Sequence, residues 1–510
     1  MRARALPYLA ALVLALPGCA AVPPAGKRTI RITVLHTNDM HGWIMPRPDK
    51  NAPQRLVGGA AALAKGVASF RKDGPTLLVD AGDWFQGTPE GSLTQGRSAV
   101  DVLNAVGYDA VAPGNHEFDV GVDGVRSLAA GLKMPVLAAN VLDAKTRAVV
   151  DFFRPYVIRE VGGVKVGLFG LLTTQMKALA FEKNIAGLEF QDEVEAARNA
   201  VARLRAEGAE VVIALSHLGL EQPGRPPFVG DRALAARVPG IDVIVGAHTH
   251  TPIFEPAAAS TAALIVQSAP NMTFLGYVKL EIDPVSRKVV GRTAGLTKLW
   301  VDEYGADEDV ARIAKRYEEE VGRELDVAIA TAAVTLTRER QKESTAGDWV
   351  ADCVRDWSGT QLAFQNGGGV RADVPAGAVK LRHIFEVMPF DNYVATLSLT
   401  GAQVRSILER GVSGTAGMIQ VSGLSLAYDA AAQPGSRVRE VLVAGQPLRD
   451  DAAYTVAAPD FMVQGGDAYT AFTEGRGRSV TPTLVREVLA ECAKKGSPVT
   501  AKPLDRIIAR

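Results

Sequence analysis

The feature that most constrains the fold is a series of short apolar runs, each followed by polar residues and separated from the next by helix-type or loop-type sequence. Continuous apolar runs of this length are typical of strands buried on both faces of a parallel sheet. Their spacing suits repeated strand–helix units, so we predict an α/β fold with the polar strand ends gathered at one edge. The runs lie at residues 30–35, 76–80, 109–112, 163–170, 211–215 and 241–245.

The polar residues after these runs are of the types that bind divalent metals. Asp39 and His41 are two residues apart, and in an extended backbone this spacing places both side chains on one face. Each motif alone is more typical of a solvated loop or turn than of a metal site, so the prediction depends on their recurrence. Five of the seven histidines in the chain follow apolar runs, namely His41, His116, His217, His248 and His250.

The side chains that follow the apolar runs provide enough oxygen and nitrogen ligands to bind two divalent metals that share one carboxylate. Such a pair activates a water and holds the oxygens of an in-line displacement, which suits phosphate ester hydrolysis. His116 can exchange a proton near neutral pH, and Asp119 is close enough in sequence to orient its ring. The candidate metal ligands are Asp39, His41, Asp83, Asn115, His217, His248 and His250.

The length of the chain indicates its domain organisation, and its net charge limits the kinds of partner that it can bind. A chain of 510 residues exceeds what one hydrophobic core usually supports, so two domains are expected. The formal net charge is zero, whereas nucleic-acid polymers are bound through clustered Lys and Arg. We therefore expect a small-molecule substrate that is attracted by a local site.

The N-terminus has the pattern of an export signal. Two arginines precede an apolar run at residues 6–16, which is too short to span a bilayer. The run ends in Leu-Pro-Gly-Cys, which resembles a bacterial lipoprotein processing site, with the lipid on Cys19. We predict a signal peptide at residues 1–19, a tether at 20–27 and a periplasmic or cell-surface protein, with ordinary cleavage just after Cys19 as the alternative.

The remaining cysteines are Cys353 and Cys492, which lie in helix-type segments far apart in the chain. Two such cysteines do not make a disulfide framework. We predict two buried thiols, although an exported compartment would permit a bridge.

The ordered motifs Asp-x-His, Gly-Asp, Gly-Asn-His-Glu, Ser-His and Gly-x-His-x-His resemble those of calcineurin-like metallophosphoesterases. The segments at residues 36–42, 114–119, 366–371 and 465–469 narrow the resemblance to the secreted 5′-nucleotidase family. This resemblance implies a four-layered α/β/β/α metallophosphatase domain at 28–306 and an α+β nucleotide-binding domain at 326–510, with the active site between them. The charged helix at 307–325 is interpreted as a solvated connector.

The resemblance also implies roles for individual residues. Asp83 would bridge two metals, and His116, oriented by Asp119, would stabilise the transition-state charge or assist the leaving group. Asp39, His41 and His250 would complete one metal site, and Asn115, His217 and His248 would complete the other. Some family members have an amide residue where this chain has His250, so the choice between zinc, manganese or another metal stays open.

The implied substrate site lies in the C-terminal domain. Phe390 and Phe461 would sandwich the base, Asp467 would bind the ribose hydroxyls, Asn366 and Arg371 would lie near phosphate and sugar, and Arg340 would be a second phosphate arginine. The implied reaction is the release of phosphate from nucleoside 5′-monophosphates by attack of a metal-bound water. A 2′,3′-cyclic-nucleotide phosphodiesterase with 3′-nucleotidase activity, a UDP-sugar hydrolase and a non-enzymatic nucleotide-binding surface lipoprotein remain alternatives.

Overall fold

The computed structural model describes residues 29–221, 228–255 and 263–510. The predicted signal peptide, Cys19 and the tether lie outside these residues. Among the residues described, no helix combines the length and the hydropathy needed to cross a bilayer.

Two five-stranded sheets form the centre of the N-terminal domain. In the first sheet, the strand Ile30–Thr37 pairs in parallel with Thr76–Asp80 and antiparallel with Phe274–Ile282. The order of the first sheet is Val289–Lys298, Phe274–Ile282, Ile30–Thr37, Thr76–Asp80 and Ala110–Val111. The order of the second sheet is Leu264–Val266, Val243–Gly246, Val211–His217, Val164–Leu172 and Tyr156–Val161.

The two sheets pack face to face, and each carries helices on its outer face. Val34 and Leu77 of the first sheet share a core with Leu168 and Ile213 of the second. The outer helices are Ala60–Asp73, Arg97–Val106 and Gly121–Gly131 on the first sheet, and Glu193–Ala206 and Asp231–Arg237 on the second. Because the central strands are apolar on both faces, both faces must be covered. The predicted α/β/β/α arrangement is confirmed.

The connecting helix lies at Glu308–Leu325, and Asp307 caps its first turn by accepting a hydrogen bond from Val310 N. Its apolar stripe, Val310, Ala314 and Tyr317, is buried in the core formed by the first sheet and its helices. The hydroxyl of Tyr317 also donates to the Asp101 carboxylate at 2.8 Å. The expectation of a solvated connector is therefore wrong for this face, because the stripe packs against the N-terminal domain.

The C-terminal domain mixes sheets and helices, as predicted. Its larger sheet has the order Gln420–Ser422, Leu362–Gln365, Ala453–Pro459, Tyr393–Thr400 and Arg476–Leu484. Its second sheet has the order Gln446–Pro447, Val438–Val443, Leu424–Tyr428 and Ile507–Ala509. The helices are Thr345–Ser358, Leu381–Val387, Gly401–Gly411, Asp460–Val463 and Val485–Lys495.

Short elements complete the fold. The strand pairs are Arg47–Pro48 with Leu56–Val57, Val141–Asp143 with Leu188–Phe190, and Ala328–Ala332 with Gly377–Lys380. The short α-helices are Pro89–Ser92, Met176–Leu179 and Val301–Tyr304. The 3₁₀ turns are His116–Val120, Glu182–Asn184, Gly466–Ala468 and Thr470–Glu474.

Cys353 and Cys492 form a disulfide, which corrects the prediction of two free thiols. The helices Thr345–Ser358 and Val485–Lys495 contribute to one core, and their packing brings the two Cα atoms to 5.7 Å. This separation is within the range that a disulfide can bridge. The cysteines are 139 residues apart, so the sequence alone carries no sign of their proximity.

Candidate active site

The polar strand ends converge at one place in the N-terminal domain. Asp39 and His41 follow the strand Ile30–Thr37, and Asp83 follows its parallel neighbour Thr76–Asp80. In the second sheet, His217 ends one strand and His248 follows the parallel strand beside it. Carboxyl ends of neighbouring parallel strands share one edge, which is why distant motifs meet here.

The first group of donors consists of Asp39, His41, Asp83 and His250, whose ligand atoms all lie within 4.8 Å of one another. His41 Nε2 lies 2.9 Å from His250 Nε2, and His250 Nε2 lies 3.4 Å from Asp39 Oδ1. Burial lowers the pKa of both imidazoles, and Arg371 lowers them further. Neutral imidazoles whose nitrogens face each other beside two carboxylates fit a divalent cation.

The second group consists of Asp83, His217 and His248, so Asp83 belongs to both groups. Asp83 Oδ2 lies 3.3 Å from His217 Nε2. The amide oxygen of Asn115 lies 2.9 Å from His248 Nδ1 and 3.3 Å from His217 Nε2. These oxygen and nitrogen donors would suit a second divalent cation, and Asp83 would be the ligand common to both groups.

Five of the seven donors are held on strained backbone. Asp39, His41 and Asp83 have φ values of 51°, 50° and 62°, and His248 and His250 have 70° and 53°. Left-handed conformations at such residues cost of order 1–3 kcal/mol each and persist only where the surroundings enforce them. Asp39 and His41 therefore do not lie on extended backbone, and the strand-face argument for their proximity is wrong. A tight loop brings them together, held by His41 N, which donates to Asp83 O at 3.0 Å.

Glu117 holds together the loops around Asp83 and Gly114, and no sequence motif assigned it a role. Its carboxylate is fully buried and accepts hydrogen bonds from the backbone N–H groups of Asp83, Trp84 and Gly114 at 2.9, 2.7 and 2.6 Å. Burial raises the pKa of Glu117 to about 7, and the charge of Asp83 adds to the shift. The only signal in the sequence was its position beside His116.

His116 and Asp119 form the pair that the sequence suggested. His116 Nδ1 lies 2.7 Å from Asp119 Oδ2, and the backbone N–H of His116 donates to Asp83 Oδ1 at 3.0 Å. Burial lowers the pKa of His116, but the carboxylates of Asp119 and Asp83 outweigh it, and the pKa lies above its ordinary value. The two carboxylates thus stabilise the protonated form of this imidazole relative to that of a free histidine.

A cavity of about 740 Å³ opens onto these residues and extends into the C-terminal domain. Asp39, His41 and His217 are buried, and among the donors it is Asp83, Asn115, His248 and His250 that line the cavity, together with His116 and Asp119. The C-terminal domain contributes all six candidate substrate residues, namely Arg340, Asn366, Arg371, Phe390, Phe461 and Asp467.

Two arginines concentrate positive charge beside the donor groups. Arg371 Nη2 lies 3.1 Å from His41 Nε2. Burial, with the nearby charge of Arg340, lowers the pKa of Arg371 to about 10. Within the described residues, the Nε of Arg340 is buried without a hydrogen-bond partner. Like charges held together at a cavity wall fit an anionic group such as phosphate.

Asp467 lies on a tight turn with φ of 54°. Asn366 Nδ2 donates to its carboxylate at 2.5 Å, and Arg410 Nε donates to its backbone carbonyl at 2.8 Å. Arg410 also lines the cavity, although it belongs to no sequence motif. Its position on the helix Gly401–Gly411 becomes relevant only through tertiary packing.

The two domains contact each other around the cavity. The Phe390 ring stacks on the His116 ring with centroids 5.5 Å apart and planes inclined by 25°. Gln86 Nε2 donates to Pro389 O at 3.3 Å, and Arg382 forms an ion pair with the buried Glu90. Phe390, which is predicted to bind the base, is thus in direct contact with the histidine beside the candidate metal ligands.

Comparison with known proteins agrees with this geometry. Residues 32–252 match the calcineurin-like phosphoesterase family, and residues 325–474 match the 5′-nucleotidase C-terminal domain. The crystal structure of a 5′-nucleotidase precursor from Thermus thermophilus is 30% identical and superimposes with a TM-score of 0.86, over 94% of this chain and 99% of that one. The chain belongs to the 5′-nucleotidase family.

Other relatives of this 5′-nucleotidase family member extend over most of its length. The 5′-nucleotidase of Vibrio cholerae is 27% identical over 542 aligned positions, which cover 96% of this chain and 95% of the relative. The snake venom 5′-nucleotidase of Crotalus adamanteus is 29% identical over 517 positions, which cover 91% and 86%. The predictions of a metal-dependent phosphoesterase and of a small nucleotide substrate are confirmed.

Proposed function

We propose that this protein releases inorganic phosphate from nucleoside 5′-monophosphates, with two divalent cations held by the two donor groups. The observation that carries the proposal is the single cavity that joins both groups to the arginines and aromatic rings of the C-terminal domain. Such a cavity can bind the phosphate at one end and the base at the other.

The roles of the residues follow from their positions. When bound, the cations supply an activated water nucleophile and neutralise phosphate charge. Asp83 is the shared ligand, and Asn115 completes the second site. Arg340 and Arg371 bind the phosphate oxygens, because a guanidinium makes paired, charge-assisted hydrogen bonds to them. His116, held by Asp119, stabilises charge on the phosphate or donates a proton to the leaving oxygen.

The nucleoside binds at the C-terminal side of the cavity. Phe390 and Phe461 stack on the base, and each base–aromatic contact contributes about 1–3 kcal/mol without reading the identity of the base. Asp467, supported by Asn366, accepts hydrogen bonds from the ribose hydroxyls. We therefore expect broad tolerance among bases and a clear preference for nucleotides over simple phosphate esters.

The proposal includes cofactor identity and cellular location. Imidazole and carboxylate donors suit zinc or manganese. The export pattern at residues 1–19 and the predicted lipid on Cys19 support a location in the periplasm or at the cell surface, with membrane contact through that lipid alone. The proposed domain boundaries are 28–306 and 326–510, with 307–325 as the connecting helix.

The deciding experiment measures phosphate release from 5′-AMP, 3′-AMP, 2′,3′-cyclic AMP and UDP-glucose. Each substrate is tested with added manganese or zinc and with chelator, for the wild type beside His116→Ala. Metal-dependent release chiefly from 5′-AMP, largely lost in the variant, supports the proposal. Preference for the cyclic, 3′ or sugar substrate would replace it with the corresponding alternative, and AMP binding without turnover would indicate a binding protein.

A further inference from the structure

Resting on the proposed function, we propose that Phe181 of the N-terminal domain is a positioning residue of the base site. It holds the ring of Phe461, and it thereby favours substrates that have a base. The base would then be read by residues from both domains, although the sequence motifs place base recognition in the C-terminal domain alone.

The first observation is the contact between the two rings. The centroids of Phe181 and Phe461 lie 5.7 Å apart with the ring planes inclined by 84°, and both residues line the cavity. Perpendicular rings at this distance attract each other, because the electropositive edge of one meets the electron-rich face of the other. The contact crosses between domains that are separated in sequence by the connecting helix.

The second observation is that Phe461 is also confined by its own domain. A Cβ atom added at Gly466 would lie 2.5 Å from Cζ of Phe461, so the ring rests directly on the backbone of Gly466. Phe461 thus contacts a backbone wall from the C-terminal domain and an aromatic ring from the N-terminal domain. Removal of the Phe181 ring would free Phe461 to leave the orientation that stacks on a base.

The third observation connects Phe181 to the catalytic loop. Three residues after it, Asn184 Nδ2 donates to the backbone carbonyl of Asp119 at 2.9 Å. Asp119 in turn contacts the imidazole of His116. A single short segment, residues 181–184, therefore contacts both the base-site aromatic Phe461 and the loop that orients His116.

The position of Phe181 could also be explained by packing alone, as a residue that fills the gap between the domains. The two explanations differ in one measurable respect. A packing residue affects all substrates to a similar degree, whereas a residue that positions Phe461 affects only substrates that have a base. Ribose 5-phosphate has the sugar and the phosphate of AMP and no base, which makes it the matched control substrate.

The test compares wild type, Phe181→Ala and Phe181→Leu with AMP and with ribose 5-phosphate under the same metal conditions. For Phe181→Ala we expect kcat/KM for AMP to fall about two- to tenfold, mainly through KM, as loss of one aromatic pair predicts. We expect kcat/KM for ribose 5-phosphate to stay near the wild-type value. Phe181→Leu, which keeps an apolar side chain, gives a smaller loss on AMP and serves if the alanine variant is unstable.

Glu182→Ala is the matched control variant, because Glu182 is the exposed neighbour of Phe181. This substitution should leave kcat/KM unchanged for both substrates. Equal losses on AMP and ribose 5-phosphate would show that Phe181 only packs between the domains and would overturn the inference, as would unchanged kinetics with AMP.

Phe461→Ala and the double variant Phe181→Ala with Phe461→Ala are measured alongside. If Phe181 acts through Phe461, its effect disappears once Phe461 is removed. Full additivity of the two losses would contradict this mechanism. Wild-type protein without AMP phosphatase activity, or Phe461→Ala without a loss on AMP, would instead refute the proposed function or the proposed role of Phe461.

Discussion

The two halves of the active site are built in different ways. The candidate metal ligands of the N-terminal domain lie at or just after the ends of adjacent strands, and Asp39, His41 and Asp83 are both buried and held on left-handed backbone. The substrate residues of the C-terminal domain come from separate loops and short helices, and Arg371, Phe390 and Phe461 are only half-buried. The metal half is thus organised within one domain, whereas the substrate half depends on contacts between domains.

This difference explains how the protein can combine a rigid set of candidate metal ligands with an accessible cavity. Backbone hydrogen bonds to Glu117 fix the loops around Asp83 whether or not the C-terminal domain is in place. Phe390, in contrast, has its stacking partner His116 in the other domain. Substitutions in the metal half should therefore affect every substrate, and those in the substrate half should discriminate between substrates.

The largest effect is expected for Asp83→Ala, which removes the carboxylate shared by both donor groups. We expect kcat to fall by about a thousandfold or more for all substrates, since bound metal contributes several kcal/mol of charge stabilisation. Phosphate release and metal content by mass spectrometry provide the measurement. Chelation of the wild type followed by metal addition is the control, and retention of two metals with normal turnover would contradict the assignment.

His116→Ala should lower kcat by about 10²–10⁴-fold on all substrates, as expected for loss of a proton-transferring group. Metal content should be unchanged, which separates His116 from the ligands. The pKa of His116 is raised, so the ring keeps its proton to a higher pH than a free imidazole does, and the rate should fall as pH rises through that pKa. Asp119→Asn removes one cause of the shift, and the alkaline fall should begin at lower pH. An unchanged alkaline limb would exclude this role for Asp119.

Replacement of both Cys353 and Cys492 by alanine should affect stability and leave the kinetics unchanged. The disulfide closes a loop of 139 residues. Its loss should lower the free energy of unfolding by about 2–5 kcal/mol, measured by denaturant titration. Reduced and oxidised wild type provide an independent comparison. A change in kcat would show that the C-terminal scaffold and the site are more closely coupled than the structure indicates.

Phe461→Ala and Phe390→Ala test whether substitutions in the substrate half of the site discriminate between substrates. Each should weaken kcat/KM for AMP by about 5- to 100-fold, which corresponds to 1–3 kcal/mol of stacking. Phe461→Ala should leave ribose 5-phosphate near wild type. Phe390→Ala should also slow ribose 5-phosphate, because Phe390 stacks on His116. Identical substrate profiles for the two variants would refute this distinction.

The smallest effect concerns Asp352 in the C-terminal domain. Burial raises its pKa, but hydrogen bonds from Arg506 and Lys502 outweigh burial and bring it to about 2. A lowered pKa contributes stability above the ordinary value near 4, and this contribution is lost as pH falls towards 2. Asp352→Asn should therefore lower the free energy of unfolding by about 1–2 kcal/mol at pH 7, after allowance for solvent screening.

Denaturant titrations at pH 7 and near pH 2 test this expectation. The difference in the free energy of unfolding between Asp352→Asn and wild type should be smaller near pH 2 than at pH 7. Asp451→Asn is the control, because the Asp451 side chain is exposed and its ion pair with Arg449 lies at the surface. A constant difference across pH would show that the carboxylate charge of Asp352 contributes little.

The features that could be predicted from the sequence are those that are encoded in local segments. Apolar strand runs followed by ligand-type residues predicted an α/β fold and the residues that form two donor groups, and the family resemblance added the layered arrangement. This was possible because neighbouring parallel strands necessarily present their carboxyl ends at one edge. The His116–Asp119 pair was visible in the sequence because its members are only three residues apart.

The features that depend on distant residues become apparent only in the folded chain. The tertiary structure joined Cys353 to Cys492, buried the stripe of the connecting helix, and placed Arg410 beside Asp467. It also set Phe181 against Phe461 across the domain boundary. No local pattern records such contacts, because each partner is an ordinary residue of its own segment. Their proximity results from how helices and sheets pack over the whole chain.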